Sequence, residues 1–285
     1  MSLLAACPSL ADLELRAFSV YLTLVTNEQG PAKLSGTRLD QIRSLFGHLR
    51  RFSVGRMETD DLARLLQPPV TAQWQDIGRV KADARTGDLL LRLPTLTTVD
   101  LRYAQATAHV GFLPHLPHLN ALTLDCYSTE ALLASLQLCT GLTHLDLNSG
   151  FHPAHWTALL DKLTKIKKLK LRGRKIKQTL ECFATGPVTE SLQELTLEHL
   201  DLPPSELSHL SALRRLRTLR LISCSFPRRR DATIDSLSPP TRLLPALTEL
   251  FVQWRVADDE YGDVEWEYRQ RRGASYEWMQ QRLTQ

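Results

Sequence analysis

The sequence predicts an α/β solenoid, in which short parallel strands stack side by side and helices or turns close the other side. Two observations predict this fold. Aliphatic residues recur in the pattern L-x-x-L-x-L, and the pattern returns about every 24 residues along nearly the whole chain. Alternation within each copy indicates a strand, whereas a leucine-rich helical bundle would follow a helical period. The apolar content of 43% is ample for the continuous core of such a stack.

Five copies carry the pattern most clearly. They begin at Leu119, Leu142, Ile166, Leu192 and Leu216, so successive starts are 23, 24, 26 and 24 residues apart. The same phase extends outward to five further copies: Leu96-Val99-Leu101, Leu247-Leu250-Val252, Ile77-Val80-Ala82, Leu49-Phe52-Val54 and Leu10-Leu13-Leu15. We therefore expect one repeat domain of about ten copies over residues 1–255.

The segments between copies predict the outer layer. Amphipathic patterns predict helices over Met57–Leu66, Ser128–Leu138, Pro153–Leu163 and Pro204–Leu213, two of which begin with a proline that suits a first helical turn. A shorter, proline-broken segment, Gly111–His118, predicts a turn.

Two spacings are too long for one repeat and predict inserts near residues 19–34 and 227–240. Such inserts form loops, and they are often on the binding side of a solenoid.

The two ends of the chain differ. The pattern of Leu3–Leu10 is that of the second half of a repeat, and no polar cap precedes it. We therefore expect either a fragment of a longer chain or an exposed edge that binds a partner. Residues 256–285 are aromatic and charged, and we interpret them as a helical capping segment that seals the last repeat. The alternative is an aromatic docking surface, because Trp, Tyr and Arg are favoured interface anchors.

Three cysteines stand in a fixed relation to the repeat. Cys7 and Cys139 each precede the first leucine of a copy by three residues, and Cys224 follows Leu221 by three. With its L-x-x-L-x-L strands, the chain resembles the leucine-rich repeat proteins, partly the cysteine-containing kind. Most copies lack the family's Asn or Cys after the strand, which favours an irregular intracellular array.

The resemblance implies a curved horseshoe with parallel strands on its concave face and helices or turns on its convex face. It also implies a protein-interaction scaffold rather than an enzyme, similar to the substrate-recognition repeats of ubiquitin-ligase adaptors. Strand alternation places the second, fourth and sixth residues of each copy on the concave face. The candidate partner-binding residues are Asp100, Arg102, Asp125, His144, Asp146, Lys168, Lys170, Arg172, Glu194, Glu198, Arg220, Ile222, Phe251 and Trp254.

The densest basic stretch, residues 162–177, supports an alternative function in binding nucleic acid or a phospho-ligand. The repeat phase argues against it, because it sets Lys170 beside Asp146, Lys168 beside Glu194 and Arg172 beside Glu198. No aromatic residues interleave with the basic ones, so a single strand would find no stacking groups. A third possibility is a structural segment of a larger assembly.

The sequence offers no catalytic or metal-binding motif and implies no cofactor. The pairs His115/His118 and His152/His155 fall in proline-containing connectors, where surface histidines are ordinary. A net charge of +4 is too small to indicate nucleic acid by itself. The five cysteines include no C-x-x-C, and neither a signal peptide nor an apolar run of membrane-spanning length is present. We expect a cytoplasmic or nuclear protein with a protein partner and no membrane contact.

Overall fold

A computed structural model describes residues 12–15, 51–57, 59–66, 74–81, 83–104, 110–126, 130–148, 153–173, 180–200, 202, 204–224, 244, 246–258 and 262–271. The chain divides into two compact units, Met1–Ser149 and Gly150–Gln285. Both expected inserts, near residues 19–34 and 227–240, lie outside the described residues.

The first unit is built on a ladder of parallel strands. Each strand pairs with the next along the chain, as a stack of repeats requires. The strands are β1 (Asp12–Leu15), β2 (Arg51–Met57), β3 (Asp76–Lys81), β4 (Thr98–Ala104), β5 (Ala121–Cys126) and β6 (His144–Asn148).

The second unit continues the same plan. Strands β7 to β10 belong to successive repeats, with parallel pairing from β7 to β8, from β8 to β9 and from β9 to β10. These strands are β7 (Lys168–Arg172), β8 (Glu194–Glu198), β9 (Thr218–Cys224) and β10 (Glu249–Asp258). Each of the ten predicted copies therefore contributes one strand.

Short helices connect the strands. Among the described residues of the first unit these are α1 (Thr59–Leu65), α2 (Thr86–Leu90), a 3-10 turn (Leu113–His115) and α3 (Glu130–Leu138). In the second they are α4 (Pro153–Leu160), α5 (Val188–Ser191), α6 (Pro204–Leu207) and the 3-10 turns Leu180–Phe183 and Ser208–Ala212. The four predicted helices are confirmed as α1, α3, α4 and α6, although α6 ends early and continues as a 3-10 turn.

The aliphatic positions of the repeat form the core of each unit. In the first unit Leu122 pairs with Leu145 and Leu124 with Leu147, and each of the four is at most 2% exposed. Burial of one such side chain contributes about 1.5–3 kcal/mol. The corresponding column in the second unit is Leu169, Leu171, Leu195, Leu197, Leu219 and Leu221, all buried.

The predicted phase of the third copy, Ile77-Val80-Ala82, is wrong. Ile77 pairs with Val99 and Val80 pairs with Leu101, so each lies one pattern position further along than expected. The register shifts between Ile77 and Val80. An extra residue in one strand of a pair produces such a shift locally without disturbing the rest of the ladder.

Trp74 takes the first core position of this repeat, and its side chain is fully buried. The Gln75 carbonyl accepts hydrogen bonds from the amides of Thr97 and Thr98 at 2.7 and 2.9 Å. The Thr97 carbonyl accepts equivalent bonds from the next repeat, including one from the Asn120 amide at 2.8 Å. Gln75 and Thr97 are therefore equivalent, and the repeat runs 22 residues from Trp74 to Leu96.

The expected helical cap over residues 256–285 is also wrong over its first half. Strand β10 continues to Asp258, and β11 (Gly262–Arg271) returns antiparallel to it. Trp266 is the register partner of Trp254, and Tyr268 is the register partner of Val252. Residues 272–285 lie outside the described part of the chain.

Candidate functional site

The predicted site residues gather on one face of each strand ladder, which we call the sheet face. In β6 and β8, half-buried residues alternate with fully buried ones. Because successive side chains of a strand point to opposite faces, the buried leucines fix the direction of the residues between them. The sheet face consists of the residues that alternate with those leucines.

In the first unit, the sheet face carries aligned acidic residues. Asp100 pairs in register with Thr123, and Thr123 pairs with Asp146, so two carboxylates flank one hydroxyl across three strands. Asp125 pairs in register with Asn148, whose Nδ2 donates a hydrogen bond to Asp125 Oδ1 at 2.9 Å. This bond ties together neighbouring repeats at the end of the strands.

His144 lies at the start of β6 on the same face. Its register partner in β5 is Ala121. The Nδ1 atom of His144 is 2.7 Å from the Thr143 hydroxyl oxygen, and the two share a hydrogen bond. The imidazole is thereby oriented by the residue that precedes it.

In the second unit, the basic residues of β7 are matched by carboxylates of β8. Lys168 Nζ lies 2.8 Å from Glu194 Oε1, and Arg172 Nε lies 3.4 Å from Glu198 Oε2, so both expected pairs are confirmed. Lys170 Nζ reaches Glu198 as well, at 2.5 Å from Oε1. The expected pairing of Lys170 with Asp146 stays a prediction.

The last two repeats add a further ion pair and two apolar groups. Arg220 Nη2 lies 3.4 Å from Glu249 Oε1, while Arg220 is the register partner of Phe251. Ile222 and Phe251 are both half-buried. They are diagonal neighbours, because Ile222 pairs in register with Gln253, two residues beyond Phe251.

Two predicted site residues are placed only by their backbone. Arg102 pairs in register with Asp125 at the end of β4, and Trp254 pairs with Cys224 after a register shift in β10. Their side chains lie outside the described part of the structure. The other twelve predicted residues all lie on strands, at positions that alternate with the core.

One sheet-face residue was missed because the third repeat was read out of phase. Asp76 pairs in register with Thr98, and its Oδ1 accepts a hydrogen bond of 3.3 Å from the Thr97 hydroxyl. The sequence signal was present, because Trp74 stands two residues before Asp76 at the place of the first leucine.

The three cysteines whose side chains the structure describes are free, buried thiols. Burial raises the pKa of the Cys139 thiol to about 11, and burial together with the carboxylates of Glu181 and Glu206 raises the pKa of Cys182 to about 12. Cys224 Sγ donates to the Leu197 carbonyl oxygen at 3.4 Å. A protonated, buried thiol is a poor nucleophile, so these groups are part of the core.

The described residues contain neither a membrane-spanning helix nor a metal-binding cluster. No helix there has the length and apolar character needed to cross a bilayer. The same residues contain no group of three or more His, Cys, Asp and Glu side chains arranged to hold a metal ion.

Some solved structures are similar to this chain at low sequence identity. No protein-family model and no curated protein sequence matches the chain. An internalin, InlF, from Listeria monocytogenes is similar at 18% identity and a TM-score of 0.41, over 68% of this chain and 54% of that one. The TLR13–ssRNA13 complex is similar at 14% identity and a TM-score of 0.44, over 78% of this chain and 34% of that one.

This chain thus matches about half the length of the internalin and about a third of that of TLR13. The fold is read from the chain itself, in which a repeated L-x-x-L-x-L pattern coincides with the parallel ladder of each unit. Each unit therefore has a leucine-rich repeat fold.

Proposed function

We propose that this protein is an interaction scaffold that recognises a protein partner through its sheet face. The observation that carries the proposal is the set of ion pairs on that face, where Lys168, Lys170, Arg172 and Arg220 each lie within 2.5 to 3.4 Å of a carboxylate. The parallel ladder holds these charges in a fixed pattern of both signs. Complementary charge patterns of this kind give an interface its specificity more than its affinity.

The same ion pairs argue against the phosphate backbone of nucleic acid as the ligand of this face. Such binding depends on cations that neutralise phosphates and release counterions. On β7 the three cations are already matched by Glu194 and Glu198, so the face offers little net positive field. A protein surface carrying both signs of charge is the better complement.

Ile222 and Phe251 give the proposed interface an apolar part. Both are half-buried and lie diagonally across β9 and β10, next to the Arg220–Glu249 pair. Apolar groups beside charged ones supply the affinity that exposed ion pairs, worth about 0–1 kcal/mol each, do not.

Cys139, Cys182 and Cys224 are free thiols, and we propose that the protein works in the reducing cytoplasm or nucleus.

Capture of partners from a lysate of the source organism tests the proposal. The tagged chain is compared with the variant Lys168→Glu, Lys170→Glu, Arg172→Glu at near-physiological salt, and captured proteins are identified by mass spectrometry. Arg92→Glu, an exposed cation outside the strands, is the control. The wild type and Arg92→Glu should capture the same protein, and the β7 variant, with an unchanged circular dichroism spectrum, should lose it.

Two results would contradict the proposal. Unchanged capture by the β7 variant would show that the partner does not bind through the sheet face of the second unit. Material that disappears on nuclease treatment alone would show that the chain binds nucleic acid.

A further inference from the structure

The fold divides the basic stretch of residues 162–177 between two different surfaces. Lys168, Lys170 and Arg172 lie on strand β7 and are paired with carboxylates. Lys165 and Lys167 come before the strand begins, and both are exposed. Neighbouring cations of the sequence therefore meet different electrostatic surroundings.

The residues just before each strand of the second unit are aligned from repeat to repeat. The Gln193 amide donates to the Lys167 carbonyl, the Arg217 amide to the Gln193 carbonyl and the Thr248 amide to the Arg217 carbonyl, each at 2.8 Å. These bonds run across the strands at their amino-terminal ends. They define a continuous surface, which we call the amino edge of the second unit.

Two repeats contribute exposed cations to the amino edge. One has Lys167 on the edge and Lys162 and Lys165 in the turn before it, and the other has Arg217 on the edge and Arg214 and Arg215 in the turn before it. Arg214 Nη1 lies 3.9 Å from Glu190 Oε1 in the repeat between them. Within the residues that the structure describes, the other five cations form no ion pair.

The spacing of the repeats sets the distance between the two groups of cations. Strands of a sheet lie about 4.8 Å apart, so Lys167 and Arg217, two strands apart, are separated by roughly 10 Å along the edge. Gln193 lies between them and carries no charge. The amino edge thus carries Lys167 and Arg217, which form no ion pair among the described residues, beside a sheet face whose cations are paired.

We propose that the amino edge of the second unit binds an acidic, extended segment of a protein partner. Glu190 stands in the middle of the edge, with 57% of its side chain exposed. A phosphate backbone carries charge at every unit and would bring one phosphate against this carboxylate. A peptide can instead place an uncharged or basic residue there and its acidic residues opposite the lysines and arginines.

The absence of stacking groups also favours a peptide over single-stranded nucleic acid. None of the described residues of the edge from 162 to 167 or from 214 to 217 is aromatic. Base stacking on aromatic side chains supplies about 1–3 kcal/mol per base in single-strand binding proteins, and it is missing here.

Binding of labelled synthetic probes tests the proposal without any natural partner. The probes are a fluorescent octaglutamate peptide, an octaglutamine peptide of the same length and a short DNA duplex, measured by fluorescence anisotropy with the whole chain. The variant Lys165→Gln, Lys167→Gln, Arg217→Gln is compared with Lys168→Gln, Lys170→Gln, Arg172→Gln, which removes the same charge from the sheet face. Circular dichroism checks that both variants are folded.

We expect octaglutamate to bind, octaglutamine not to bind, and the amino-edge variant to lose about tenfold in affinity. The sheet-face variant should stay within about twofold of the wild type, because its cations are already paired. Should a triple variant fail to fold, Lys167→Gln and Lys168→Gln give the same contrast at two adjacent residues.

Binding of octaglutamate to the amino edge can be measured whether or not a partner binds the sheet face. Equal losses in the amino-edge and sheet-face variants would overturn the assignment to the edge. Tighter binding of the duplex than of octaglutamate, abolished in the amino-edge variant, would overturn the choice of an acidic peptide in favour of a phosphate backbone.

Discussion

Lys170 and Glu198 form an ion pair diagonally across strands β7 and β8. The register partner of Lys170 is Thr196, yet its Nζ lies 2.5 Å from Glu198 Oε1, two residues further along β8. Arg172 Nε reaches the other carboxylate oxygen at 3.4 Å. Glu198 therefore holds two cations with only 14% of its side chain exposed, which makes it the centre of the charge pattern on this face.

Substitution of Glu198 is expected to destabilise the second unit. Glu198→Gln removes the carboxylate that pairs with Lys170 and Arg172 and should lower the free energy of unfolding by about 1–2 kcal/mol. Glu194→Gln is the control, because the Lys168–Glu194 pair is nearly half exposed and contributes less than about 0.5 kcal/mol. Urea unfolding at low salt measures both, and equal effects would contradict the central position of Glu198.

The register of the third repeat can be tested at Trp74. Trp74→Ala removes a fully buried indole and should lower the free energy of unfolding by about 3–5 kcal/mol. Gln75→Ala changes the adjacent, exposed side chain and should stay within about 0.5 kcal/mol of the wild type. A small effect at Trp74 in thermal or urea unfolding would mean that the repeat does not begin there.

Two glycines give a matched pair for close packing. A Cβ at Gly87 would lie 2.7 Å from Phe112 Cδ1, whereas a Cβ at Gly111 would meet nothing within 4 Å. Gly87→Ala should therefore lower the free energy of unfolding by about 1–3 kcal/mol because the ring must shift. Gly111→Ala should change it by less than about 1 kcal/mol. Urea unfolding of the two variants and the wild type measures both changes. Wild-type stability of Gly87→Ala would contradict the packing of α2 on Phe112.

The buried thiols predict a loss of stability in alkali. Burial raises the pKa of Cys182 to about 12 in the folded chain, above the ordinary value of 9.0, so the folded state favours the protonated thiol. The stability that the fold gains by holding this thiol protonated is complete below about pH 9 and is lost as the pH rises from there to about 12. Above pH 9, the free energy of unfolding of Cys182→Ala should fall less steeply than that of the wild type. The two slopes should differ by about 1.4 kcal/mol per pH unit.

Parallel curves below about pH 8 are the internal control of that experiment, because the thiol is protonated in both states there. Curves that remain parallel up to pH 11 would show that the Cys182 thiol is not held protonated by the fold.

Much of this architecture could be predicted from the sequence, because one repeated pattern specifies both the strands and the faces of their residues. The pairs Lys168–Glu194 and Arg172–Glu198 were predictable, since equal positions in neighbouring repeats become register partners. The ion pair of Lys170 with Glu198, which Glu198 forms in addition to its pair with Arg172, was not predictable from the sequence. It depends on the reach of a lysine side chain to a diagonal neighbour, which a register alone does not give.

The failures have physical causes at particular residues. Trp74 is not aliphatic, and an extra residue in β3 broke the spacing, so a leucine-based pattern began the repeat one core position late. The aromatic and charged composition of residues 256–285 predicts a helical cap, whereas residues 262–271 form the strand β11. Yet Val264, Trp266 and Tyr268 alternate with charged residues at the period of a strand, and that signal was in the sequence.

Site-specific photo-cross-linking tests the central proposal, recognition through the sheet face, most directly. A benzophenone amino acid replaces Thr196, which lies between Lys170 and Arg220 on that face, or Thr157, which is exposed on helix α4. Each variant is irradiated in a lysate of the source organism. We expect a discrete cross-linked protein from position 196 and none from position 157. Cross-linking from position 157 alone would show that the helical side binds the partner, and the proposal would be wrong.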